Sequence, residues 1–121
     1  MKSVISAGFA LATLVSGQAL AQETIKIGVI QPLTGSVAYN GSADVAGTKL
    51  AIEERNAKGG VLGKKVEAVI EDGGCKPADS VNAAEKLIQR DKVVALSGAF
   101  CSSATIAVMP EGPYVLARAG K

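Results

Sequence analysis

Lys65-Val66-Glu67-Ala68-Val69-Ile70-Glu71, followed by Asp72-Gly73-Gly74-Cys75-Lys76-Pro77, is the stretch on which the fold turns. The first seven residues carry β-branched side chains at Val66, Val69 and Ile70 and read as a strand. Asp72 to Lys76 is a loop. Pro77 suits the first position of a helix, where its missing N–H is no loss. Val81, Ala84, Leu87 and Ile88 then give that helix a buried stripe, ending near Arg90. Strand, short loop and helix in this order are the repeating unit of a parallel sheet.

The unit recurs on both sides. Upstream, Ile25-Lys26-Ile27-Gly28-Val29-Ile30 reads as a first, buried strand, ended by Gln31-Pro32-Leu33-Thr34-Gly35. A flexible loop to Gly41 and a helix over Ser42–Lys58 should follow. Its core-facing stripe reads as Ala43, Ala46, Gly47, Leu50, Ala51 and Ala57, with Ser42 as N-cap and Asp44 in the first turn. Lys49 with Glu53 and Glu54 with Lys58 are expected to pair on the wet face, and Gly59-Gly60 to stop the helix. Downstream, Val93–Ser97 reads as a third strand, Gly98–Cys101 as a turn, and Ser103–Met109 as a third helix that Pro110 ends. Tyr114-Val115-Leu116 reads as a stunted fourth strand. Right-handed crossovers make this an α/β, doubly wound parallel sheet.

Residues 1–21 read as a signal peptide. Lys2 supplies the positive start, Val4 to Val15 a short apolar run, and Ala19-Leu20-Ala21 a small-x-small cleavage site before Gln22. The apolar run falls short of the roughly 20 residues needed to span a bilayer. Residues 22–121 would form the mature domain in the periplasm. Export to an oxidising compartment predicts that Cys75 and Cys101, the two cysteines of the chain, pair. Two buried free thiols are the alternative.

Composition narrows the function classes. The chain is 48% hydrophobic and 20% charged, as a globular protein should be. With Lys2 set aside the mature part carries +1, has no basic cluster and few aromatics, so nucleic acid is not a partner. Histidine is absent, which removes the commonest metal ligand and the commonest general base. No G-x-G-x-x-G follows the first strand and no C-x-x-C is present, so no cofactor, metal or catalytic residue is assigned. Glu71 and Asp72 are adjacent, point to opposite faces, and do not form a catalytic pair.

Ligands of open parallel sheets bind at the carboxyl ends of the strands. Here that edge comprises Gln31 to Asn40, Asp72 to Lys76 and Gly98 to Ser103. Ser102 and Ser103 offer hydroxyls and free backbone N–H groups at a helix start, where a carboxylate fits. Plain capping by Ser102 is the competing reading. The layout is that of a secreted small-molecule binding protein, not an enzyme.

Six segments in order resemble a known family. They are Ile25–Val29, Pro32–Gly35, Gly41–Gly47, Asn56–Gly63, Asp72–Pro77 and Gly98–Ala104. Together they resemble the N-terminal lobe of periplasmic binding proteins that serve branched-chain amino acid ABC transporters, the leucine/isoleucine/valine-binding type. The resemblance implies a type I binding-protein lobe, here incomplete, as the substrate-binding component of an importer for branched-chain or related amino acids. It implies a membrane permease as partner and ligand capture between two lobes. A sensor of the same fold for amides, urea or other small molecules is the alternative. By position, Cys75 and Cys101 match the family's disulfide. Ser102 matches a residue that holds the ligand's amino-acid backbone, and Phe100 an apolar residue near its side chain. The family's loop aromatic is not matched in register: Asn40 stands there, with Tyr39 one residue earlier. Lys76 stands where an acidic cap is common. Nothing recognisable of the family follows Pro110, so the chain reads as a truncated lobe, expected by itself to be marginally stable, to bind no amino acid tightly and to show no leucine-dependent thermal shift.

Overall fold

The computed structural model describes residues 23–111. The signal peptide, its cleavage site and the strand expected at Tyr114–Leu116 lie outside them. Three strands, β1 (Ile25–Gln31), β2 (Val66–Asp72) and β3 (Ala95–Gly98), form one parallel sheet in the order β2-β1-β3. Between them run α1 (Ala38–Ala57) and α2 (Pro77–Glu85), the latter continued by a π-helical turn, Lys86–Arg90. After β3 come α3 (Ser102–Val108) and a 3₁₀ turn, Met109–Glu111. The doubly wound parallel architecture is as the sequence predicts.

Alternation along β1 decides what each face meets. A Cβ on Gly28 would lie within 3.2 Å of Leu87, Val93 and Leu96, so this face belongs to α2 and its π-helical turn. Ile27 and Val29, one residue to either side, face Thr48, Ala51 and Ile52 of α1. The main core lies on the α2 side. There Ile30, Ala83, Ala84, Leu87, Val93, Ala99 and Ala104 form one buried cluster. Gly28 is therefore a packing glycine: a methyl group there would overfill this core.

α1 differs from its sequence-based reading in start and in face. It begins at Ala38, four residues before Ser42, after a turn in which Gly35 has φ +85° and Ala38 N–H donates to Gly35 C=O. Ser42 is thus an exposed interior residue, not a cap, and Asp44 lies beyond the first turn. The segment read as a flexible loop up to Gly41 is largely helix. The sheet side of α1 carries Gly41, Val45, Thr48, Ile52 and Asn56, with Ala51 exposed at the edge of the cleft beside them, whereas Ala43, Ala46, Gly47, Leu50 and Ala57 are exposed. Two contacts select this face. A Cβ on Gly41 would sit 2.0 Å from Pro32 O, so only glycine lets the helix start this close to the loop. At the other end, the Asn56 side chain donates to Val66 C=O and accepts from Val66 N–H, both at 2.8 Å, and so pairs with the start of β2. Neither expected pair on α1 forms: the ion pairs among the described residues are Lys64–Glu23, Lys76–Asp79 and Lys86–Glu71. Exposed pairs gain too little to hold two long side chains in one geometry.

Candidate functional site

The chain leaves β1 toward β2 on one side and then crosses back to β3 on the other. The strand order therefore reverses at β1, and the loops after β1 and β3 diverge at the carboxyl edge. A crevice at such a switch point is where open α/β sheets bind ligands. The three loops there are Pro32–Val37, Gly73–Lys76 and Ala99–Cys101.

These loops are cross-linked. A disulfide joins Cys75 to Cys101 across the second and third, with Cα atoms 5.4 Å apart. The Asp72 carboxylate joins the first to the second. Its Oδ1 accepts from the backbone N–H of Leu33 and of Gly74, both at 2.8 Å, and its Oδ2 accepts from Thr34 Oγ1 at 2.6 Å. The Thr34 hydroxyl, outweighing the opposing effect of burial and helped by the backbone N–H groups of Leu33 and Gly74, holds this carboxyl below its ordinary value. Backbone bonds continue the pattern, from Gly73 N–H to Gln31 C=O and from Ala99 N–H to Ile30 C=O.

The bridged loops also carry unfavourable backbone. Cys75, Ala99 and Phe100 have φ of +56°, +68° and +36°. Non-glycine residues enter this region at a cost of about 1–3 kcal/mol each and collect at ligand sites. Gly98, with φ +109°, starts the turn, and a Cβ there would lie 2.0 Å from Ile30 O. The turn buries Ala99 and leaves Phe100 47% exposed.

Of the residues singled out from sequence, Phe100, Ser102 and Ser103 come together on the bridged β3–α3 turn. Ser102 and Ser103 are the first residues of α3, both exposed, and among the described residues neither hydroxyl has a hydrogen-bond partner. The cap position is Cys101, without a side-chain cap, so Ser102 does not cap its own helix. Tyr39 stands in the first turn of α1, 85% exposed. Two apolar clefts lie elsewhere: one of about 220 Å³ between β3 and α3, one of about 360 Å³ between α1 and the sheet. Neither takes in these four residues. Among the described residues no three His, Cys, Asp or Glu side chains converge on a metal position.

Comparison with known proteins agrees with this layout. The family model for periplasmic binding proteins matches residues 24–117. The chain belongs to the periplasmic binding protein family. It is 43% identical over 86 residues to a leucine-, isoleucine-, valine-, threonine- and alanine-binding protein of Pseudomonas aeruginosa, covering 71% of this chain and 23% of that one. It superposes with a TM-score of 0.73 and 35% identity on a branched-chain amino acid transporter substrate-binding protein of Streptococcus pneumoniae in complex with isoleucine, covering 77% and 27%. A solute-binding protein of an ABC transporter from Rhodopseudomonas palustris, in complex with 3,4-dihydroxybenzoic acid, gives 0.66 and 33%, covering 72% and 23%. The chain thus spans about a quarter of the length of these relatives.

Within this periplasmic binding protein, the sequence presents Asp72 as an ordinary loop residue, whereas the structure makes it a hub between loops. Its signal is faint: the second of two adjacent carboxylates at a strand end, with a threonine in the loop after the first strand. Gln31, closing β1, shows in the sequence only as part of the strand stop. It is 6% exposed; its Oε1 is buried with no hydrogen-bond partner among the described residues, and its Nε2 lies beside Gly98.

Proposed function

We propose that the chain is the ligand-receiving face of a solute-binding component of an ABC importer. It would be exported to the periplasm by residues 1–21 and deliver a branched-chain or related amino acid to a membrane permease. The observation that carries this reading is the pair of unpartnered hydroxyls at Ser102 and Ser103, held out on a turn that the Cys75–Cys101 bridge fixes at the switch point. A ligand carboxylate would accept from these hydroxyls and adjacent backbone N–H groups. Phe100 and Tyr39 would flank the ligand's apolar part. The ligands named for the relatives support this class, and the fold family is one of transport proteins rather than enzymes.

A second reading takes an aromatic acid as ligand, favoured by the dihydroxybenzoate complex of the Rhodopseudomonas relative. Both share the carboxylate. Titration of the ¹⁵N-labelled 121-residue chain with L-leucine and with 3,4-dihydroxybenzoate, followed by amide chemical shifts, separates them. A ligand held by one face stays half in water, so a millimolar Kd is expected. Ser102→Ala should weaken binding at least about tenfold, as for one lost hydrogen bond to a charged group. Shifts at Ser102 and Ser103 with neither compound, or an unchanged Kd in Ser102→Ala, would refute the reading.

A further inference from the structure

We propose that Asp72 is a positioning residue of this ligand face, its carboxylate holding the β1–α1 loop in place against the disulfide-linked loops. The inference rests on the ligand-binding reading above. The disulfide reaches only the second and third loops. The first loop lies outside that covalent link, and its Thr34, Gly35 and Ser36 are exposed. Among the described residues, every side-chain hydrogen bond between the first loop and the second ends on Asp72.

Local turn chemistry explains only part of this arrangement. The bond from Gly74 N–H spans two residues and is common after aspartate. The bonds from Leu33 and Thr34 span 39 and 38 residues, and no turn requires them. Nor does Asp72 cap α2, whose cap position is Lys76. The carboxylate sits at the end of β2, in register with Gln31 at the end of β1, so its own position is fixed by the sheet. From there it takes three donors, one of them from Gly74 beside the bridged Cys75. The loop it holds runs directly into α1, whose start is pressed against Pro32 at Gly41 and whose first turn carries Tyr39. Release of Leu33 and Thr34 therefore frees the path that sets Tyr39 relative to Ser102, with the sheet and the disulfide left intact.

The test uses the ¹⁵N-labelled 121-residue chain with L-leucine as the probe. Wild type, Asp72→Ala, Asp72→Asn and Thr34→Ala are compared by chemical-shift titration and amide exchange, with the bridge checked by intact mass. In Asp72→Ala the Leu33 amide should exchange about tenfold faster and the Kd should rise at least about fivefold, in keeping with lost hydrogen bonds to a charged group. Exchange in the β1–β2 ladder should not change. Asp72→Asn keeps an oxygen for the two N–H donors and should lose less. Thr34→Ala, which removes one exposed bond, should weaken binding about twofold at an unchanged melting temperature, and it carries the test if Asp72→Ala fails to fold. Faster Leu33 exchange with a wild-type Kd overturns the inference and leaves the ligand-binding reading standing. A wild-type chain that shows no leucine response overturns this inference; no response to 3,4-dihydroxybenzoate either overturns the ligand-binding reading with it.

Discussion

Removing the Cys75–Cys101 bridge should lower stability without dismantling the sheet, and the size of the loss follows from two opposing effects. The cysteines are 26 residues apart, and the chain-entropy relation gives about 3.5 kcal/mol for closing such a loop in the unfolded state. Against this stands the left-handed backbone at Cys75, Ala99 and Phe100, which the bridge helps to hold. Relaxation of one such residue returns about 1 kcal/mol. The Cys75→Ser/Cys101→Ser chain should therefore lose about 2–3 kcal/mol. For a domain of this size that corresponds to a fall in Tm of roughly 10–20 °C. Urea unfolding distinguishes this cause from simple loss of packing. If the bridge acts on the unfolded state, its removal expands that state and raises the m-value as the midpoint falls. Intact mass after alkylation, with and without reductant, should differ by two labels. Two reactive thiols in the unreduced protein, or a midpoint unmoved by the double substitution, would refute the reasoning.

Other consequences are as direct. Asn56→Ala should cost about 2 kcal/mol by chemical denaturation, because Val66 N–H and C=O lose their partner where α1 meets β2. Asn56→Asp should be no better, since a carboxylate cannot donate to Val66 C=O. Gly98→Ala should cost at least about 3 kcal/mol, from positive φ and from a methyl driven into Ile30 O, and the soluble yield should fall with the Tm. The Asp72 carboxyl, held below its ordinary value of 3.8, contributes stability that is complete above that pH and lost as pH falls through the depressed value. The Tm difference between wild type and Asp72→Asn should accordingly be constant at neutral pH and shrink in strong acid; a difference that persists unchanged there would contradict the assignment.

Much of this architecture was legible in the chain. The β-branched runs at Ile25–Ile30 and Lys65–Glu71, Pro77 at a helix start and Gly59-Gly60 at a helix end mark out alternating strands and helices. Their signals are local: a side chain's backbone preference acts wherever it stands. The pairing of the two cysteines, too, is expected from export and from the family resemblance. The strand boundaries shift by a residue or two, and β3 starts at Ala95 rather than Val93.

What the sequence by itself determined, then, is the order and kind of the elements, and with them a parallel sheet whose carboxyl edge gathers three loops. Only the tertiary structure decided which way α1 faces and what holds those loops together. Alanine and glycine bury too little surface for periodicity to choose between two sides of α1, so the choice passes to contacts made far along the chain. Gly41 must clear Pro32 O, and Asn56 must reach Val66. The same holds for Asp72. Nothing near it in sequence calls for its bonds to Leu33 and Thr34; they exist because parallel pairing sets Asp72 beside Gln31, and a carboxylate placed there takes the nearest free donors.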